Sequence, residues 1–350
     1  MTNNTLRTIT VFVLLTACSA TLFAGSDYGG SDFSVRLPPA FVRFTEVTAM
    51  DGGSAASRMS SAINPAAVDW LDIPGKHGIT VAPYYSGVCL GNGTWLNITG
   101  QSVTVDAGEL GSFQPTLAQI RSNRAETRQG LGFDYRVDTM MIQWGKRFGS
   151  LGIGACFNFN EAEIVQKAGS IRVSESHAES YRFRFGALWE PAEKWLIGIV
   201  AEYGFAPYRA KANVFVFPIG FVEVKSAGVA HQFILRPGVS YEYAENSIVF
   251  FDYQFGAFEN DEDRLVRPGL ERLLSHRFSA GVNHQLFQWL FVQGGASVDV
   301  RGNCGLTTGF NVFFSENAML SLGYQYNTLP ELRPEFGDSH TIQATFSLMF

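Results

Sequence analysis

The feature that most constrains this chain is the alternation at its C-terminal end. Ile342, Ala344, Phe346, Leu348 and Phe350 are apolar, while Thr341, Gln343, Thr345 and Ser347 between them are polar; only Met349 is out of step. Successive strand side chains point to opposite faces, so a period of two gives one face in an apolar medium and one in a wet medium. The pattern recurs upstream. Ala318, Leu320, Leu322, Tyr324 and Tyr326 oppose Ser321, Gln325 and Asn327; Val249, Phe251, Tyr253 and Phe255 oppose Asp252 and Gln254. Phe278, Ala280 and Val282 oppose Arg277, Ser279 and Asn283, and Tyr181, Phe183, Phe185 and Trp189 oppose Ser180, Arg182 and Arg184. In the run containing His231, Phe233, Leu235, Val239 and Tyr241, Pro237 removes a ladder donor, which predicts a bulge or kink there.

Composition decides which apolar medium is meant. The chain is 46% hydrophobic, 14% aromatic and only 17% charged, with 30 Phe and 36 Gly. No stretch after residue 25 offers the roughly twenty apolar residues of a membrane helix. Many aromatics, many glycines and no long apolar run are what alternating membrane strands produce. The net charge of -6 argues against nucleic acid as a partner.

The first 24 residues read as a signal peptide. Arg7 is its positive n-region, Ile9 to Ala17 its apolar stretch, and Ala20 or Ala24 its cleavage residue. Leu15-Thr16-Ala17-Cys18 is also compatible with an acylated lipoprotein cysteine, so an ordinary signal and a lipobox both stand. Cys89, Cys156 and Cys304 are odd in number and irregular in spacing, neither a disulfide framework nor a zinc pattern.

Connections alternate in length. Short ones fall at Gly149-Ser150, Pro191 to Lys194, Ala244 to Asn246, Phe287-Gln288 and Glu316-Asn317; longer ones are expected through 162–176, 207–228, 258–273 and 328–338. Short periplasmic turns and long outer loops are the rule of membrane barrels. About eleven strands follow Thr139, and three more are expected near 77–88, 94–105 and 112–121, giving an all-β, up-and-down antiparallel barrel of about fourteen strands over 77–350. Residues 25–76 carry Pro38-Pro39, Gly52-Gly53 and a small-residue run, and do not read as wall. Their Phe41, Phe44, Ile63, Val68, Trp70 and Leu71 favour packing inside the lumen, as a hatch, over a tail left in water.

The run Gly52-Gly53-Ser54-Ala55-Ala56-Ser57-Arg58-Met59-Ser60-Ser61-Ala62-Ile63-Asn64-Pro65-Ala66-Ala67 resembles the start of FadL/TodX-type outer-membrane transport proteins, with the hatch motif at Asn64, Pro65 and Ala66. The resemblance implies a fourteen-stranded barrel, an N-terminal luminal hatch and passive uptake of hydrophobic molecules such as long-chain fatty acids. The chain has Ala67-Val68 where that family usually has a glycine. A sister group with the same entry serves protein secretion or surface attachment. A secretion-accessory barrel and a general porin are therefore the alternatives to a channel for apolar molecules.

No catalytic constellation stands out. His231, His276, His284 and His340 read as interfacial strand residues, and an enzyme is disfavoured. Glu259, Asp261, Glu262 and Asp263 lack the spacing and turn glycine of a calcium loop. No metal or cofactor is expected. Luminal Arg182, Arg184, Arg236, Glu202, Glu242, Asp252, Arg277 and Asp299 must be paired or watered, so hatch docking and a selectivity filter are both open. The apolar run Val214 to Val222, with Phe215, Phe217 and Phe221, is either a ligand-capture surface or two strands extended around a Pro-Gly turn. Phe350 reads as the assembly signal, implied by the resemblance to be recognised by the barrel-assembly machinery. The expected surroundings are outer-membrane lipids and lipopolysaccharide.

Overall fold

The computed structural model describes residues 54–58, 61–70, 78–123, 125–126, 132–216, 220–262, 273–300, 302–327 and 337–350. The expected signal peptide and all of 25–53 lie outside these residues. Fifteen stretches are extended: β1 (Ile79–Leu90), β2 (Trp95–Asp106), β3 (Ser112–Asn123), β4 (Ala125–Glu126), β5 (Gly132–Phe148), β6 (Leu151–Ala168), β7 (Ile171–Ala192) and β8 (Trp195–Val216) come first. They are followed by β9 (Gly220–Ala244), β10 (Ser247–Glu262), β11 (Leu273–Phe287), β12 (Leu290–Asp299), β13 (Cys304–Ser315), β14 (Ala318–Tyr326) and β15 (Ser339–Met349). The two residues of β4 continue β3 and pair with the same neighbour, β5, so the wall has fourteen staves.

Every stave pairs antiparallel with the next, and β1 pairs with β15 to close the ring. The closure reaches the last residue. Phe350 N donates to Ile79 O at 2.8 Å, and Ile79 N donates back to Phe350 O at 3.2 Å. Along β15 the two faces separate cleanly: Ile342, Phe346 and Phe350 are exposed, while Thr341, Gln343, Thr345, Ser347 and Met349 are buried. Met349 is thus an inward residue in step with the pleat. Large apolar side chains are exposed all round the wall, from Leu117 and Ile142 through Phe185, Ile199 and Phe251 to Phe310. A surface that apolar on twelve of the fourteen staves is stable only against hydrocarbon.

The first three strands lie a residue or two from where the sequence placed them. Two of the expected long loops are not loops. β6 and β7 run on to a tight turn at Gly169-Ser170, and β8 and β9 run on to Val216 and Gly220. Above the hydrocarbon the outer face of a strand is wet, while the inner face packs Ala162, Ile164 and Ala178 into a buried cluster, so the apolar-outward alternation fades although the ladder continues. Glu161, Lys167, Arg172 and Glu175 belong to such continued strands. Residues 263–272 and 328–336, within the other two, lie outside the described residues.

Pro237 does not make a bulge. The β9–β10 pairing stops at Gly238 and resumes at Leu235 in unchanged register, so the ladder simply opens where the amide hydrogen is missing. The register shift between these strands falls at Ser247/Ile248 instead. Pro83, Pro115 and Pro207 each leave the same kind of opening, in β1–β15, β2–β3 and β7–β8.

The closing pair yields a first prediction. Replacing Phe350 by Asp places a charge at the edge of the apolar band, where the direct cost is about 0–1 kcal/mol. Surface levels should nevertheless fall at least tenfold, because the substitution also alters the end of the strand that seals the ring. Immunodetection on intact cells checks this; normal surface levels would exclude a role for Phe350 in assembly.

Candidate functional site

The inner wall of four adjacent staves carries glycine where a segment of this chain lies against it. Gly145 on β5, Gly152 and Gly154 on β6, Gly186 on β7, and Gly198 on β8 would each, given a methyl group, overlap an atom of residues 55–70. They are neighbours in the sheet: Gly145 pairs with Gly154, Gly154 with Gly186, and Gly198 with Gly238 of β9. Strand glycine weakens a sheet unless another backbone must approach closely. Here one does.

Asn64 is the hub of the docked segment. It is fully buried, and its Nδ2 donates to Ala55 O at 2.7 Å and to Ala187 O of the wall at 3.0 Å. Its Oδ1 accepts from Ala66 N at 3.1 Å, capping a 3-10 turn over Pro65–Asp69. Pro65, with its fixed φ and absent donor, suits the first position of that turn. Ala66 and Ala67 are fully buried and pack with Trp70, Leu188 and Leu196. A methyl group at Gly154 of the wall would lie 2.4 Å from the Ala66 amide nitrogen. The three motif residues are therefore brought together, each with a distinct physical task.

The two ends of the segment are held by charge. Asp69 accepts from Ser112 Oγ at 2.6 Å and from Arg147 N at 2.8 Å. Trp70, 1% exposed, lies between the guanidinium groups of Arg147 and Arg58, 4.2 and 5.5 Å from its ring. Arg58 in turn pairs with Glu190 at 3.0 Å. At the other end Asp252 accepts from Ser54 Oγ at 2.9 Å and Ala55 N at 2.8 Å while pairing with Arg236 at 3.0 Å. Arg184 donates to Ala62 O at 2.6 Å and pairs with Glu202, which also accepts from Gln232 at 3.0 Å. Much of the buried luminal charge is thus committed to the wall and the docked segment.

The lumen has two zones. Toward the outer end Val88, Leu90, Leu96, Ile98, Ile120, Val137 and Ile164, on five staves, form one buried apolar cluster with Tyr135 and Tyr208, and Tyr84 packs beneath it. Below Tyr84 lies a cavity of about 370 Å³ whose lining mixes polar side chains, among them Thr80, Gln114, Thr139 and Gln343, with apolar ones, among them Met141, Leu196, Phe291 and Phe313. Apolar lining thus continues from the outer cluster into the cavity.

Phe215 and Phe221 are register partners at the tip of the β8–β9 hairpin. Phe217 lies outside the described residues. On the outer wall His231, His276, His284 and His340 each share a hydrogen bond between Nδ1 and a tyrosine hydroxyl, at 2.6–3.0 Å. Cys89, Cys156 and Cys304 are free thiols, and among the described residues no group of His, Cys, Asp and Glu is placed to hold a metal. The glycine row is the part of the site that the sequence reading misses. Its signal was available: glycines at inward positions of consecutive strands.

No family model matches the chain, and no curated protein sequence matches it. Solved structures do. The toluene transporter TodX of Pseudomonas putida matches at a TM-score of 0.52, covering 86% of this chain and 97% of its own, with 12% identity. The chain has the fold of these barrels. The toluene transporter TbuX of Ralstonia pickettii matches at a TM-score of 0.54 and 11% identity, over 86% of this chain and 97% of that one. The structural neighbours are of the type that the Asn64-Pro65-Ala66 segment resembles.

Proposed function

We propose that this chain is a channel of the bacterial outer membrane through which hydrophobic small molecules, long-chain fatty acids among them, pass inward without an energy source. The observation that carries the reading is the docked segment around Asn64, which occupies the lumen below an apolar outer cluster. Exposed apolar side chains on twelve of the fourteen staves support the location. Two barrels of this fold, described as toluene transporters, support the class of cargo. No catalytic step is assigned to it.

A ligand moving down past Val88, Ile98 and Ile164 would enter the cavity below Tyr84, where Met141, Phe291 and Phe313 carry the apolar lining on. The ladder between β2 and β3 is open at Pro115, with Gln114 Nε2 bonded to Thr104 Oγ1 beside the opening at 2.9 Å. Gln114 and Thr104 also line the cavity, so this opening would serve as a sideways exit from it. The polar part of the lining favours a second reading, passage of small polar solutes as in a general porin. Protein secretion has no comparable observation in its favour.

The test uses Phe215, Phe217 and Phe221. If the hairpin tip captures ligand, replacing all three by Ser should weaken binding of a fluorescent fatty acid at least tenfold, about 1.4 kcal/mol. Heat-modifiable mobility on gels should be unchanged, since the tip lies beyond the wall's apolar band. Unchanged binding by the triple variant would remove the capture role. Absence of any saturable binding by the unsubstituted barrel would remove the apolar-channel reading and leave the porin.

A further inference from the structure

The outward faces of β8 and β9 carry an array for which a channel has no use. Tyr203, Arg209 and Lys211 lie on the outer face of β8, and His231 and Lys225 on that of β9. Tyr203 Oη meets His231 Nδ1 at 3.0 Å, with ring centroids 6.3 Å apart. Two further pairs repeat the arrangement round the wall, Tyr253 with His276 at 2.6 Å and Tyr324 with His340 at 2.8 Å. In each, the histidine stands opposite the aromatic residue two places beyond the tyrosine, Phe205, Phe255 or Tyr326. The tyrosines lie eight, six and six residues past the first residues of their strands, Trp195, Ser247 and Ala318. Since a tilted strand crosses the hydrocarbon in about 9–11 residues, these rings rise into the outer interface. A tyrosine that donates to Nδ1 leaves the ring proton on Nε2, a donor for a headgroup.

Cations stand above one of the three pairs. Arg209 lies six residues beyond Tyr203 and Lys225 six beyond His231, with Lys211 facing Lys225 in register. Like charges directly opposite destabilise a sheet. Lys225 has Glu223 at 3.2 Å. Glu175, opposite Lys211 on β7, is bonded to Arg172 at 2.9 Å. Among the described residues Arg209 and Lys211 have no ion-pair partner. Six residues at about 3.3 Å each place these cations about 20 Å along the strand beyond the interfacial ring pair. An ordinary phospholipid headgroup ends well short of them. A lipid with a phosphorylated saccharide head reaches both levels.

The geometry points to the outer face of β8–β9, from Tyr203–His231 up to Arg209, Lys211 and Lys225, as a docking site for a phosphorylated glycolipid of the outer leaflet. The site rests on the reading of the chain as an outer-membrane barrel, and is independent of what crosses the lumen. The full-length protein in phosphatidylcholine nanodiscs, offered lipopolysaccharide, should retain it at least tenfold better than dephosphorylated lipopolysaccharide or phosphatidylglycerol, as counted by native mass spectrometry. Arg209→Ala/Lys211→Ala/Lys225→Ala should abolish that preference, and Lys211→Arg/Lys225→Arg should keep it. His284→Phe, at the opposite membrane edge, should leave it unchanged. Equal retention of the dephosphorylated form or of phosphatidylglycerol, or wild-type retention by the triple alanine variant, overturns the assignment. A chain without heat-modifiable mobility in the nanodisc overturns it together with the membrane-barrel reading, which the retention assay alone does not touch.

Discussion

Valine at Gly186 and Gly198 is expected to expel the docked segment and to raise conductance in planar bilayers severalfold. At Gly198 the new side chain would occupy the position of the Ala55 carbonyl, and at Gly186 that of the Asn64 carboxamide oxygen. Neither site can yield by a flexible side chain turning aside, because Ala55 contributes backbone and Asn64 is bonded on three sides. Overpacking a fitted interior costs about 1–3 kcal/mol per site. Losing the bonds of a buried amide adds about 1–3 kcal/mol for each group left unsatisfied. The segment therefore leaves before the sheet distorts, since valine itself favours strand. Gly294→Val is the control: nothing crowds that position, the nearest atom being Thr307 O at 3.8 Å, so neither conductance nor mobility should change. Wild-type conductance in the Gly186→Val/Gly198→Val protein would mean that the segment does not obstruct the lumen.

The comparison of sequence with fold turns on what each side chain senses. Phe346 and Gln343 sense different media, so the wall through the membrane was legible from alternation alone. The continuations of β6 through β9 above the membrane were not, because Glu161 and Lys167 on one face and the small residues Ala162 and Ala178 on the other carry no such contrast. The motif at Asn64-Pro65-Ala66 was legible as a motif, and its partners were not. A hydrogen bond from Asn64 to the carbonyl of Ala187 joins residues far apart in sequence, and the accepting group is backbone, which leaves no side-chain signature. Arg184, Glu202, Arg236 and Asp252 were legible as luminal charge from their place in the pleat. Which pairs with which depends on register, and a two-residue change of register would exchange every partner. Pro237 shows the limit in the other direction. Its missing donor was correctly located, but a sheet held on both sides can leave two pairs open more easily than it can insert a residue.

Asp252 is where the docked segment and the wall share one charge, and its removal is expected to have the largest effect on stability. It is 1% exposed, and it holds Arg236 at 3.0 Å, Ser54 Oγ at 2.9 Å and Ala55 N at 2.8 Å. Asp252→Ala leaves a guanidinium in the lumen with its partner gone, and breaking a buried pair from one side costs about 3–5 kcal/mol. Asp252→Leu with Arg236→Met removes both charges, and such apolar replacements are near neutral or stabilising. Barrel stability, read from urea titration in a bilayer, should therefore fall in the single variant and recover in the double. Docking should not recover, because Ser54 and Ala55 have lost their acceptor in both. Cysteine at Ala55 reports this: buried and unreactive to a soluble maleimide in the parent, it should be labelled at least tenfold faster in either variant. The two measurements separate the roles of one carboxylate. A loss below about 1 kcal/mol in Asp252→Ala would show that water solvates Arg236 as it does a surface ion, and that the lumen at this level is wet. Recovery of slow labelling in the double variant would show that the glycine row and Asn64 hold the segment without Asp252, leaving the carboxylate as a partner for Arg236 alone.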